Sequence, residues 1–169
     1  MEIPTMRDVR RWTLAVVALA VAAGAGPAAA AAPNYPRLLE QAALEFERLD
    51  SGAFRVLYEF DDGRSQLVFL QPQGTFEDVS VVEVYSPVMR IADGNLPAAL
   101  ARRLLEASGQ RKLTYFGVEE VEGTLMVFCY HNLPADRLDA DTLATTLLAV
   151  ATFGDEMEKE QLGAMSDEF

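Results

Sequence analysis

Residues 112–143 read KLTYFGVEEVEGTLMVFCYHNLPADRLDADTL, and they contain the one cysteine and the one histidine of a 169-residue chain. Two runs rich in β-branched and aromatic residues, KLTYFGVEEV and TLMVFCYHN, flank a Glu122-Gly123 pair. This predicts a β-hairpin. NLP closes the second strand, and Asp139 or Asp141 can cap a helix whose apolar side includes Leu143, Leu147, Val150 and Ala151. Gly154 either ends that helix or lies within an extension reaching Leu162. Strand, turn, strand, helix is the pattern that decides the fold, and the rest of the chain repeats its logic.

Upstream, NYPRLLEQAALEFERLDS (Asn34–Ser51) has apolar residues at three- and four-residue spacing, with Asn34 as a candidate cap and Pro36 in the first turn. The period then changes to two. Phe54, Val56, Tyr58 and Phe60 alternate up to the Asp62-Gly63 turn, and a second strand runs from Ser65 to Leu70, ending at PQG. VSVVEVYSPV predicts a third strand that stops near Pro87. LPAALARRLLEASG predicts a helix with Asn95 as cap, Pro97 in its first turn, an apolar stripe of Leu96, Leu100, Leu104 and Leu105, and an end before Gly109. The order is therefore α-β-β-β-α-β-β-α. Hairpins at both ends of the strand series predict an α+β domain with an antiparallel sheet and helices mainly on one face.

The first 32 residues read differently. Arg10 and Arg11 precede an apolar segment from Trp12, which breaks at Gly24, Gly26 and Pro27 and ends in an alanine tract. This is the layout of a secretory signal peptide, with cleavage expected near Ala30 or Ala32. A periplasmic or secreted protein is expected, touching a membrane only through this segment if it is retained. The arginine pair followed by WTL is similar to a twin-arginine signal, and the general and twin-arginine routes both remain open. The domain is placed at 33–162, and 163–169 is read as an acidic flexible tail.

Three of the 14 basic and two of the 26 acidic residues fall in the first 32, so residues 33–169 carry 11 basic against 24 acidic side chains, a net charge of −13. That balance repels nucleic acid and anionic lipid, whose binding depends on neutralising phosphate with cations. A single cysteine excludes an internal disulfide.

The second half resembles YbjN-like proteins, which share the fold of type III secretion chaperones. The resemblance is carried by the Asn95–Ser108 helix, the hairpin LTYFGVEEVEGTLMVFCYHNLP with its acidic turn, and the LDADTLATTLLAVATFGDEME helix. More loosely, it extends over Tyr35 to Pro87. It implies a chaperone-like domain capable of pairing into a homodimer, without enzyme chemistry or a cofactor. Secretion chaperones are cytoplasmic, and the export signal departs from that pattern.

Candidate chemical groups are few. Cys129 and His131, one residue apart on a strand, share a face with Leu125 and Val127. Cys129 therefore reads as a core residue, ahead of a redox-sensitive thiol or a nucleophile, which needs a lowered pKa and an adjacent base. His131 reads as a boundary residue bonded to backbone or solvent, ahead of a catalytic base or zinc ligand; zinc needs three or four ligands. Asp61-Asp62-Gly63 lacks calcium-loop spacing. Glu119, Glu120 and Glu122 read as a solvated turn; Glu120 and Glu122 form an acid–base pair only if the hairpin brings them to a pocket. Gly109, Gly117 and Gly123 make no phosphate loop, and Arg102 and Arg103 make no nucleic-acid patch.

No catalytic, cofactor or metal residue is assigned. Tyr115, Phe116, Phe128 and Tyr130 divide between the two sheet faces, and a sheet covered on one side leaves an apolar surface for an unidentified protein partner. The expected function is noncatalytic protein binding, chaperone-like or regulatory. The alternatives are a small metal-dependent hydrolase using acidic residues and His131, and a structural envelope protein.

Overall fold

The computed structural model describes residues 33–77, 79–91, 93–163 and 167–169, with only the backbone of 73–76. The signal-peptide expectation for 1–32 lies outside these residues. In chain order the elements are α1 (Tyr35–Gln41), β1 (Glu47–Arg48), β2 (Phe54–Glu59), β3 (Ser65–Phe76), β4 (Val79–Ile91), α2 (Ala98–Gln110), β5 (Tyr115–Val121), β6 (Thr124–Pro134), a 3-10 turn (Ala135–Arg137) and α3 (Ala140–Leu162). The strands form one six-stranded antiparallel sheet in the order β1-β2-β3-β4-β6-β5. The fold is the expected α+β class.

Alternation within the strands sorts side chains to two faces. Val56, Val68, Leu70, Val82, Val84, Val127 and Cys129 face the helices and pack with Leu39, Leu104, Leu143, Leu147 and Val150 in one core cluster. α3 lies against β3, β4 and β6, α2 lies against β5, and α1 packs on α3. Leu143, Leu147 and Val150 recur at helical spacing and are fully buried, each burial stabilising the fold by about 1.5–3 kcal/mol. Asp139 Oδ1 accepts from the Thr142 amide at 2.7 Å, so the cap of α3 is Asp139. Gly154 lies inside the helix, where a β-carbon would come within 3.3 Å of Ser86 Oγ. The helix ends at Gly163, which has φ 95°.

The structure departs from the sequence reading at several elements. The first helix stops at Gln41, because Ala43 turns left-handed (φ 54°) and the chain becomes extended. This places Phe46 edge-on to Phe54, at 5.8 Å, and lets Glu47–Arg48 add a sixth strand beside β2. Asn34 does cap α1, accepting from the Arg37 amide at 3.1 Å. Asn95 does not cap α2. Pro97 is the N-cap and makes no side-chain bond, and a residue before proline is steered away from helical angles, which leaves Asn95 outside the first turn. α2 also runs through Gly109 to Gln110, and Leu105 lies 73% exposed rather than in the stripe.

β3 and β4 both continue past their prolines. β3 passes Pro72 with a register shift before Thr75, and β4 passes Pro87 with one before Met89. Side chains replace the ladder bonds around Pro87. The buried Gln66 Nε2 donates to the Pro87 carbonyl and to Ser86 Oγ, and Ser86 Oγ donates to the Leu67 carbonyl at 2.6 Å. A proline is tolerated in a central strand where its neighbours are bonded in this way.

Candidate functional site

On the face opposite the helices, register aligns one residue from each of five strands: Arg55 opposes Phe69, Phe69 opposes Tyr85, Tyr85 opposes Tyr130, and Tyr130 opposes Tyr115. The rings form a continuous band. Phe69 stacks on Tyr85 at 5.1 Å, Tyr130 stacks on Tyr115 at 5.4 Å, and Tyr85 and Tyr130 meet at 6.1 Å. Phe128 closes the band from the next row, 6.0 Å from Tyr85 and 5.7 Å from Tyr130. Such cross-strand pairs hold register and present flat apolar area.

Gly117 makes this packing possible. A β-carbon there would lie 2.8 Å from Tyr130 Cε2, so the Tyr130 ring lies directly over the glycine backbone. The Tyr130 hydroxyl donates to Glu119 Oε1 at 2.7 Å, and Asn132 Nδ2 donates to the Tyr115 hydroxyl at 2.7 Å. Burial raises the Tyr130 phenol pKa, and the Glu119 carboxylate raises it further. Burial, with Glu83 and Glu119 nearby, also raises Tyr85 and Tyr115. These hydroxyls stay protonated at neutral pH and serve as hydrogen-bonding groups.

Tyr130 and Phe128 are largely shielded by their neighbours. Phe69 and Tyr85 are half-buried, Tyr115 is 39% exposed, and Leu57 at the β2 side is 53% exposed. The open face is therefore an apolar floor with aromatic and aliphatic edges accessible to solvent, bordered by Glu83 and Glu119. Of the four aromatics expected to divide between faces, Tyr115, Phe128 and Tyr130 lie here, and Phe116 packs inward on the core.

Arg90 marks the other end of the face. It opposes Met126, and its guanidinium lies 4.6 Å from the centre of the Phe169 ring and 2.5 Å from Glu168 Oε1. Phe169 packs against the cluster formed by Met126, Phe128 and Tyr130. Asp167 Oδ2 accepts from the Ser65 amide and hydroxyl at 3.2 and 3.1 Å. The residues read as a flexible tail thus lie against the sheet at Asp167–Phe169.

Beneath them is a buried ionic cluster. Arg64 Nε contacts Asp155 Oδ1 at 2.5 Å, and its Nη2 lies 3.1 Å from Glu158 Oε2 without hydrogen-bond alignment. Burial works against the Arg64 charge, but Asp155, Glu158 and Asp167 hold its pKa above the ordinary value. Burial pushes the Glu158 carboxyl up, only partly offset by the Glu168 amide that donates to it and by Arg64.

The other sequence candidates are dispersed. Cys129 faces the core, fully buried, and burial pushes its thiol up to about 12, the opposite of an activated nucleophile. His131 shares that face, is 4% exposed and lies within β6, which runs on to Pro134, so it is a buried strand residue rather than the boundary residue expected; its Nδ1 has no partner. Burial lowers its pKa and keeps the imidazole neutral. Glu120 opposes Leu125, six residues along β6 from His131, or about 20 Å at the strand rise. The hairpin does not bring this pair together. Glu122 (φ 51°) and Gly123 (φ 83°) form the turn itself, and Asp62-Gly63 forms the β2–β3 turn. Among the described residues, no group of three or more His, Cys, Asp or Glu side chains is placed to hold a metal. An open groove of about 270 Å³ lies between Met89, Ile91, Pro97, Leu100 and Leu162.

Phe69, Tyr85 and Phe169 were not singled out from the sequence. The first two were within reach, since the Asp62-Gly63 turn and period-two alternation put Phe69 on the face of Arg55 and Leu57.

No family model matches the chain, and no curated protein matches it. Among solved structures, the fold is similar to the crystal structure of YbjN from E. coli, described there as a candidate transcription regulator. The TM-score is 0.55 and the identity 9%, over 75% of this chain and 86% of that one. At that identity the match shows a shared YbjN-like fold.

Proposed function

We propose that the chain is a noncatalytic protein-binding domain, exported to the periplasm or secreted, whose docking surface is the aromatic face of the sheet. The observation that carries this reading is the band Phe69–Tyr85–Tyr130–Tyr115 with Phe128, left without a helix among the described residues. Rigid tyrosine and phenylalanine rings supply contact area at low entropic cost, and a partner covering them removes apolar surface from water. The net charge of −13 over residues 33–169 surrounds the face with a field that disfavours nonspecific association of like-charged chains.

Pairing of two copies through this face is the simplest complex, and a regulatory partner is the other. Phe69→Lys and Tyr85→Lys place charges on the face while leaving the helix-side core intact. Native mass spectrometry of protein recovered from the cell envelope should show a complex, homodimer or mixed, that both substitutions abolish. A strictly monomeric, partner-free chain, or complexes indifferent to both substitutions, would remove the proposal.

A further inference from the structure

The docking face is partly occupied already, by the chain itself. We infer that Asp167–Phe169 is a releasable strap seated on the Arg90 end of the aromatic face, so that a docking partner must displace it to cover the whole face. The inference rests on the docking reading and adds its regulation.

Three anchors point to a specific seat. Asp167 accepts from both the amide and hydroxyl of Ser65. Glu168 meets the Arg90 guanidinium with its carboxylate, while its own amide donates to Glu158 Oε1 at 2.6 Å. Phe169 lies over the same guanidinium and packs against the cluster of Met126, Phe128 and Tyr130. An acidic residue followed by an aromatic one thus reads a cation and an adjoining apolar floor in consecutive positions.

The seat is also one that can be vacated. Arg90 is half-exposed, so its pair with Glu168 is weak and screened by salt. A single guanidinium–ring contact is similarly modest. Against these contacts and the hydrogen bonds of Asp167 and Glu168 stands the entropy of fixing Asp167–Phe169 on the face, a cost of the same order. A strap held on such terms opens often enough for a competitor to enter, and it lowers apparent affinity in proportion to the time it is closed.

The test is a synthetic peptide, GAMSDEF, added at millimolar concentration to isotope-labelled full chain, with amide chemical shifts as the readout. Two proteins are compared, the wild type and Glu168→Ala/Phe169→Ala. In the double variant the peptide should shift Arg90, Met126 and Phe128 toward their wild-type positions. Half-saturation should fall at about a tenfold lower concentration than in the wild type, as for a strap closed about nine-tenths of the time. A peptide whose phenylalanine is replaced by alanine should have no effect. Equal binding to both proteins, or no shift at those three amides, would overturn the strap. Failure of the docking face itself would register separately, as complexes indifferent to Tyr85→Lys.

Discussion

Gly117→Ala is a one-carbon perturbation of the candidate face. The new methyl would lie 2.8 Å from Tyr130 Cε2 and 3.3 Å from Cδ2, and the ring is only 6% exposed and cannot yield freely. Moving it forfeits the stack on Tyr115, about 1 kcal/mol, and the hydrogen bond to Glu119, about 1.5 kcal/mol. Alanine regains roughly 0.5–1 kcal/mol over glycine by restricting the unfolded chain. The net expectation is a loss of about 2 kcal/mol. Urea unfolding should show this as a midpoint lowered by roughly 1 M for a slope of about 2 kcal/mol/M. The Tyr130 and Tyr115 ring signals in NMR spectra should lose their mutual shielding. A Gly117→Ala protein as stable as the wild type, with unchanged ring signals, would refute the packing argument and with it the preorganised band.

Three further outcomes follow from the buried polar groups. Gln66→Ala removes the donor to the Pro87 carbonyl and Ser86 and leaves a cavity under α3, so thermal or urea unfolding should report a loss of about 2–4 kcal/mol. His131 has a folded pKa depressed by burial below its ordinary 6.5. Its stabilising contribution is therefore complete above that value and is lost as pH falls toward the folded pKa. Glu158 has the opposite sign: its raised folded pKa means that protonation on acidification favours the folded state. Unfolding free energies measured across pH 7 to 5 should decline less steeply in His131→Leu than in the wild type; parallel curves would contradict this assignment. Cys129, with its thiol pushed up to about 12, should resist a thiol-specific disulfide reagent at pH 8 in the folded protein and react fully in denaturant. Rapid labelling of folded chain would contradict its burial.

Elements governed by local chemistry were legible in the sequence. The Asp62-Gly63 and Glu122-Gly123 turns, the Asn34 and Asp139 caps, and the inward direction of Cys129 all follow from residue type and parity. Features set by distant partners were not. A proline reads as a strand terminator, and nothing local says that Gln66, more than twenty positions from the continuation of β4 at Val88, bridges the break at Pro87. The first helix has a convincing periodicity through Leu49, yet Phe46 is drawn onto Phe54 and Glu47–Arg48 onto β2, so tertiary packing overrides the pattern. The aromatic band depends on β4 lying beside β6, a pairing of non-consecutive strands that alternation within either strand does not encode. His131 was misjudged because NLP suggested a strand end, whereas β6 continues to Pro134.

Photo-crosslinking tests the docking face most directly. A benzophenone side chain replacing Tyr85, at the centre of the band, is compared with one replacing Leu105, which is equally apolar but lies on the exposed side of α2. Irradiated in intact cells, the protein should yield a discrete adduct from position 85, with a second copy or one partner, and none from position 105. Adducts from position 105 alone, from both positions alike, or from neither would contradict a function located on the open face of the sheet.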